Sequence, residues 1–209
     1  MRFNAVSIGA LATAATVASP ALADITITQG TSAGSYATTL NFDEVGGPTG
    51  VVATNAWASI GITEFQAGDG VPQVGDFDTP NGGWGLGDGN VFFGNFGVFI
   101  TWDSDLTEFS TQVWDPSGPP GIFGGLSFLV YNDGVEVANF FTTPAWGGVG
   151  DEWFDVTTSG GMVFDEVRIL GFGFIPQTHV DNLSWNAVPS PSALTLLGLG
   201  AVALPRRRR

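Results

Sequence analysis

Through the middle of the chain, apolar residues recur in short β-branched and aromatic runs cut by Gly, Pro, Asn and Asp, and not at helical spacing. That pattern predicts strands. They fall near Ile25–Thr28, Tyr36–Phe42, Val51–Thr54, Ile62–Phe65, Val91–Phe93, Gly97–Trp102, Glu108–Trp114, Leu126–Tyr131, Val135–Phe141, Trp153–Val156, Met162–Leu170 and His179–Ala187. Two hairpins are expected. Asn132-Asp133-Gly134 separates one pair of runs and Ser159-Gly160-Gly161 another, each with a Gly that can take positive φ and close a turn. Several strands are apolar on both faces, which suits an antiparallel β-sandwich of two sheets. Residues 68–95, rich in Gly and Asp, read as one long loop, a length uncommon in compact domains unless the loop binds something.

Composition supports the all-β reading. Of the 31 glycines, 28 lie between residues 24 and 188, and helices tolerate Gly poorly. Neither half of this stretch has enough strands to cover an apolar face by itself, so it reads as one domain. The two ends differ from it. Residues 1–23 place Arg2 before an Ala-rich apolar stretch, then Pro20 and the small residues Ala21 and Ala23, the three-part layout of a secretory signal peptide. A buried N-terminal helix would instead need an amphipathic face and a capped start. Cleavage after Ala23 would make Asp24 the mature N-terminus. Without Cys, an exported body must be stable by packing alone. At the other end, residues 193–204 carry no charge and are bounded by Pro205 and Arg206, Arg207, Arg208 and Arg209. The apolar stretch is short for a spanning helix, which wants ~20 residues. The Arg block would hold its end on the cytoplasmic side.

Charge narrows the partners. All twenty carboxylates lie between Asp24 and Asp181, Lys is absent, and Arg168 is the one basic side chain of the middle, which leaves residues 24–188 at a net −19. Such a body repels phosphate backbones, so nucleic acid is excluded as a partner. Cys nucleophiles, Cys-ligated metals and Lys Schiff bases are excluded with it. Divalent cations become natural partners.

The C-terminal segment 188–209 resembles the sorting tail of PEP-CTERM proteins, whose pattern is Val-Pro-Glu-Pro-Ser, a Leu/Gly/Ala-rich stretch and a terminal Arg cluster. Here stand Val188, Pro189, Ser190, Pro191 and Ser192, then Leu194, Leu196, Leu197, Gly198, Leu199 and Gly200, then Arg206–Arg209. Ser190 takes the place of the family's Glu, which looks like a Pro-Ser-Pro form of the motif. The resemblance implies recognition by a membrane exosortase, with the body released or attached at the cell surface or in an extracellular matrix. A plain tail anchor is the alternative.

Phe42-Asp43-Glu44 early in the body and Asp181-Asn182-Leu183 in its last strand resemble the layout of jelly-roll modules found in many PEP-CTERM bodies and in calcium-containing carbohydrate-binding domains. The resemblance implies a jelly-roll-like sandwich whose first and last strands lie close together and hold a structural Ca²⁺ through Asp43, Glu44 and Asp181. Six to eight oxygens are what Ca²⁺ wants, and this body supplies carboxylates with hardly a cation against them. Against that stands the plain reading of Asp43 and Glu44 as the start of a turn and Asp181 as a loop residue.

Other groups are less selective. Asp69, Asp76, Asp78 and Asp88 alternate with glycines, and Gly82-Gly83-Trp84-Gly85 looks like a single imperfect copy of a calcium-binding nonapeptide, but solvated turns explain them as well. Of the seven Trp, Trp102, Trp114 and Trp185 read as core, while Trp84 and Trp146 stand in Gly-rich loops where a ring could stack on a sugar face. Catalysis finds no constellation. His179 is the single His, no Gly-x-Ser-x-Gly elbow occurs, and no carboxylate pair is singled out among twenty. The expectation is an all-β, jelly-roll-like sandwich flanked by a signal helix and a short C-terminal apolar helix. It is exported, transiently membrane-anchored, structural or adhesive rather than enzymatic, with a carbohydrate-binding module acting on extracellular polysaccharide as the alternative.

Overall fold

A computed structural model describes residues 24–30, 35–44, 47, 49–76, 89–114, 125–142, 153–172 and 177–188. The expected signal helix and apolar C-terminal helix lie outside these residues. Within them the chain is nearly all antiparallel β-structure. No α-helix occurs among the described residues, and Ala58–Ile60 forms one 3₁₀ turn.

Twelve strands join in one hydrogen-bonded network. They are β1 (Ile25–Gly30), β2 (Thr38–Leu40), β3 (Gly50–Val51), β4 (Ile62–Ala67), β5 (Gln73–Asp76), β6 (Asn90–Asn95), β7 (Val98–Trp114), β8 (Gly125–Asn132), β9 (Val135–Thr142), β10 (Trp153–Thr158), β11 (Phe164–Phe172) and β12 (Gln177–Ala187). β7 organises the rest. Its first half, Val98–Trp102, lies between β4 and β11, and beyond β11 follow β8 and β9. Its second half, Glu108–Trp114, lies between β10 and β12. β1 extends this second group beyond β10, while β2 and the series β6, β5 and β3 extend it beyond β12.

Side chains from the two groups meet in one core. Phe128 of β8 lies 4.6 Å from Phe154 of β10, and Trp102 lies 5.3 Å from Phe109 and 6.0 Å from Trp185. Phe65 of β4 stacks on Phe92 of β6 at 3.8 Å, and Phe42 and Trp57 close around that pair. These rings are fully or almost fully buried, together with aliphatic residues such as Ile62, Ile100, Leu106 and Leu126, so burial of apolar surface stabilises a chain without Cys.

Three expectations change. Gly97–Trp102 and Glu108–Trp114 belong to one strand, because Asp103 and Asp105 point to solvent at an irregular stretch of β7 and do not stop the pairing on either side. The long loop contains β5, whose Gln73–Asp76 pairs with β6. The second hairpin does not form. β10 pairs with β1 and β7 while β11 pairs with β7 and β8, so Ser159-Gly160-Gly161 turns the chain from one strand group into the other. The first hairpin forms as expected: Asn132 pairs with Val135 across Asp133 (φ 50°) and Gly134 (φ 75°), both in the left-handed region that a two-residue hairpin loop requires.

Candidate functional site

The strand group around the second half of β7 has two unlike faces. One row across it runs Ile27, Val156, Phe109, Trp185, with all but Ile27 buried in the core. The adjacent row, one residue along each strand, runs Thr28, Asp155, Ser110, Ser184, Thr39. Alternation sends this row to the opposite face. Two residues further along β10 and β7, Trp153, Gln112 and Asp181 continue it. The register slips between Asp181 and Ser184, and a bulge of this kind re-aims the side chains at the slip.

At the β2–β12 end of this polar face is a cleft of about 310 Å³ lined by Thr39, Leu40, Asn41, Glu44, Trp153, Asn182 and Ser184. Pairing of Thr39 with Ser184 and Leu40 with Leu183 brings the β2 exit beside β12, which carries Asn41 and Glu44 to the rim. Asn182 is held firmly. Its backbone, at φ 49°, donates to Asp181 Oδ1 at 2.6 Å, and its amide donates to Gln112 Oε1 at 2.6 Å and Asp181 Oδ2 at 3.2 Å. Thr111 Oγ1 donates to the Asp181 carbonyl at 2.9 Å. Asp181 is completely buried. Two residues beyond Trp153 on β10, Asp155 Oδ1 accepts the Tyr36 hydroxyl at 3.0 Å. Burial and then the Asp155 charge push the Tyr36 phenol up to about 12, so it stays a donor at all ordinary pH.

The expected calcium ligands are distributed differently. Asp43 Oδ1 accepts the Asn90 N–H at 2.7 Å, and the Asn90 amide donates to the Phe42 carbonyl at 3.4 Å. The carboxylate packs against Gly89, where a Cβ would collide with it. Asp43 therefore latches the start of β6 to the end of β2. Glu44 lines the cleft, and Asp181 bonds to Asn182 beneath it. Among the described residues no group of three His, Asp or Glu side chains is placed to hold a metal ion.

Asp69 organises a turn, with Oδ1 accepting from the Val71 N–H at 2.9 Å and Oδ2 from the Asn95 amide at 2.8 Å. Asp76 ends β5. Trp102 and Trp185 are core, as expected. His179 is buried against the edge of the Phe93 ring at 5.0 Å, and burial pushes its imidazole down to about 4. It is therefore neutral at physiological pH. Trp84, Trp146, Asp78, Asp88, Pro189, Ser190, Pro191 and Arg206–Arg209 lie outside the described residues.

Trp153 is the residue that the sequence reading did not single out. Its signal was present: Trp153, Asp155 and Thr157 alternate with the buried Phe154 and Val156, which puts a Trp on the polar face of an amphipathic strand. Arg168 is committed elsewhere, pairing with Glu166 and lying 4.3 Å over the Tyr131 ring. Comparisons with models of protein families and with curated protein sequences give no match.

Proposed function

We propose that the chain is an exported cell-surface or matrix protein whose body is a jelly-roll-like sandwich of two sheets, acting by adhesion and not by catalysis. Delivery follows from the signal-peptide layout of residues 1–23. Sorting by an exosortase-type enzyme follows from Pro189, Ser190 and Pro191 ahead of the apolar stretch and Arg206–Arg209. Aromatic contacts between the two strand groups, Phe128 on Phe154 and Phe65 on Phe92, support the two-layer reading.

The observation that carries the adhesive role is the polar face over β10, β7, β12 and β2, opposite an apolar face that fills the core. Ser110, Gln112, Asp181 and Ser184 of this face are buried, and Thr28, Asp155, Trp153 and Thr39 around them stay open enough to meet a partner. The buried, neutral His179 is out of reach as a general base for a substrate at that surface. Carbohydrate binding is the form of adhesion that the cleft favours, because it combines a half-buried Trp with amide and hydroxyl groups.

Mass spectrometry of the protein recovered from the cell surface or matrix tests delivery. Mature ends near Asp24 and Val188 are expected; an intact chain retained in the cytoplasm contradicts the reading. Turnover of a polysaccharide by the purified protein contradicts the non-catalytic role.

A further inference from the structure

We propose that the cleft beside Trp153 is a saccharide subsite that takes uncharged sugar units and rejects uronate or sulfated ones. The inference rests on the adhesive reading above and assigns it a place and a ligand chemistry. Trp153 supplies a flat apolar ring at the cleft wall, the kind of surface on which the C–H face of a pyranose stacks. Around it stand the groups that hydroxyls need: the amides of Asn41 and Asn182, the hydroxyls of Thr39 and Ser184, and the Glu44 carboxylate. The N–H groups of the Asn182 amide are spent on Gln112 and Asp181, so its oxygen is left to accept; the Asn41 amide and the hydroxyls of Thr39 and Ser184 donate and accept, and the Glu44 carboxylate accepts, so a sugar hydroxyl can find a partner of either kind.

Pre-organisation favours this cleft over an ordinary surface hollow. Asn182 is pinned by three hydrogen bonds to Asp181 and Gln112, and both of those residues are buried. A ligand meeting a fixed amide loses less free energy to side-chain ordering than one meeting a mobile side chain. At about 310 Å³ the cleft is at the lower end of small-molecule sites, a size for a short saccharide segment and not for a dinucleotide.

Charge sets the selectivity. Glu44 is in the lining and the body carries a net −19, with Arg168 its one cationic side chain. That guanidinium sits on β11 in the other strand group, paired with Glu166. Among the described residues an anionic sugar in the cleft would meet a carboxylate and no counter-charge.

Affinity gel electrophoresis of the full chain tests this, with dextran, xyloglucan, galactomannan or a β-1,3-glucan in the gel, and alginate and polygalacturonate as anionic counterparts. Retardation by at least one neutral polymer and by neither anionic one is expected. Trp153→Ala should weaken the retarding interaction roughly tenfold or more. Trp153→Phe should fall between. Asn182→Gly, which suits the positive φ while removing the amide, should also weaken it, so the test stands if Trp153→Ala fails to fold. Trp84→Ala and Trp146→Ala should retain it. Retardation by the anionic polymers overturns the proposal. So does binding that survives Trp153→Ala and is lost in Trp84→Ala or Trp146→Ala, although carbohydrate adhesion would then stand. Retardation by no polymer overturns the subsite and the carbohydrate form of adhesion together, leaving the sorting reading to its own mass-spectrometric test.

Discussion

Val98–Trp102, the first half of β7, alternates buried Val98, Ile100 and Trp102 with half-buried Phe99 and Thr101, whereas every residue of Phe109–Val113 in the second half is buried. The first half is a one-faced strand: core on one side, water on the other. The second half buries Ser110 and Gln112 as well, and beside them Asp181 and Ser184. Burying polar groups costs free energy unless they are hydrogen-bonded. Here the Asn182 amide donates to Gln112, and Thr111 reaches the Asp181 carbonyl. One continuous strand thus carries a plain packing surface at one end and a buried, partly hydrogen-bonded polar network at the other. The cleft opens beside that network.

Substitutions can separate the two ends. The largest effect is expected in the aromatic core that both share. Phe65→Ala removes the ring stacked on Phe92 and should cost about 3–5 kcal/mol in urea unfolding; a loss below about 1 kcal/mol would mean that the core is not packed around this pair.

Acid should act through the second end. His179 titrates near 6.5 when unfolded and near 4 when folded, so below pH 6.5 the unfolded chain takes up a proton that the folded chain refuses. The stability associated with neutral His179 is therefore complete above about pH 6.5 and declines as pH falls toward 4. The slope from this group approaches roughly 1.4 kcal/mol per pH unit. His179→Phe should flatten unfolding curves across that window, and an unchanged slope would remove burial of the neutral imidazole from the account.

A matched pair sharpens the contrast. Thr111→Val deletes the donor to the Asp181 carbonyl and should cost about 1 kcal/mol, while Thr101→Val, half-buried in the first half, should stay within about 0.5 kcal/mol. Equal costs would erase the difference between the two ends. The smallest change is expected at the latch. Asp43→Asn keeps an acceptor for the Asn90 N–H and loses only the charge, about half a kcal/mol. Chelation tests the structural Ca²⁺ expected at Asp43, Glu44 and Asp181, and a melting temperature unmoved by chelator and by added Ca²⁺ would remove it. A fall in melting temperature on chelation would support a structural cation.

The all-β character was legible in the chain because Gly, Pro, Asn and Asp interrupt β-branched and aromatic runs throughout. The hairpin at Asn132-Asp133-Gly134 was legible for the same local reason. At Ser159-Gly160-Gly161 the turn residues were read correctly and the pairing was not, since a Gly-rich turn serves equally a hairpin and a passage between strand groups. Asp103 and Asp105 suggested a break, yet exposed side chains on an extended backbone need not end a strand. The cleft was hidden for a different reason. Its walls come from residues about 140 positions apart, joined by the pairing of β2 with β12, and no spacing rule spans that distance. Only Trp153 on a polar strand face gave a local sign.

Hydrogen–deuterium exchange of the full chain, with and without an oligosaccharide from the retarding neutral polymer, tests the central claim most directly. The saccharide should slow exchange at Thr39–Asn41 and Asn182–Ser184 on the cleft walls, and leave β8 and β9 unchanged. Protection confined to residues 81–87 or 144–149, with those walls unaffected, would contradict it.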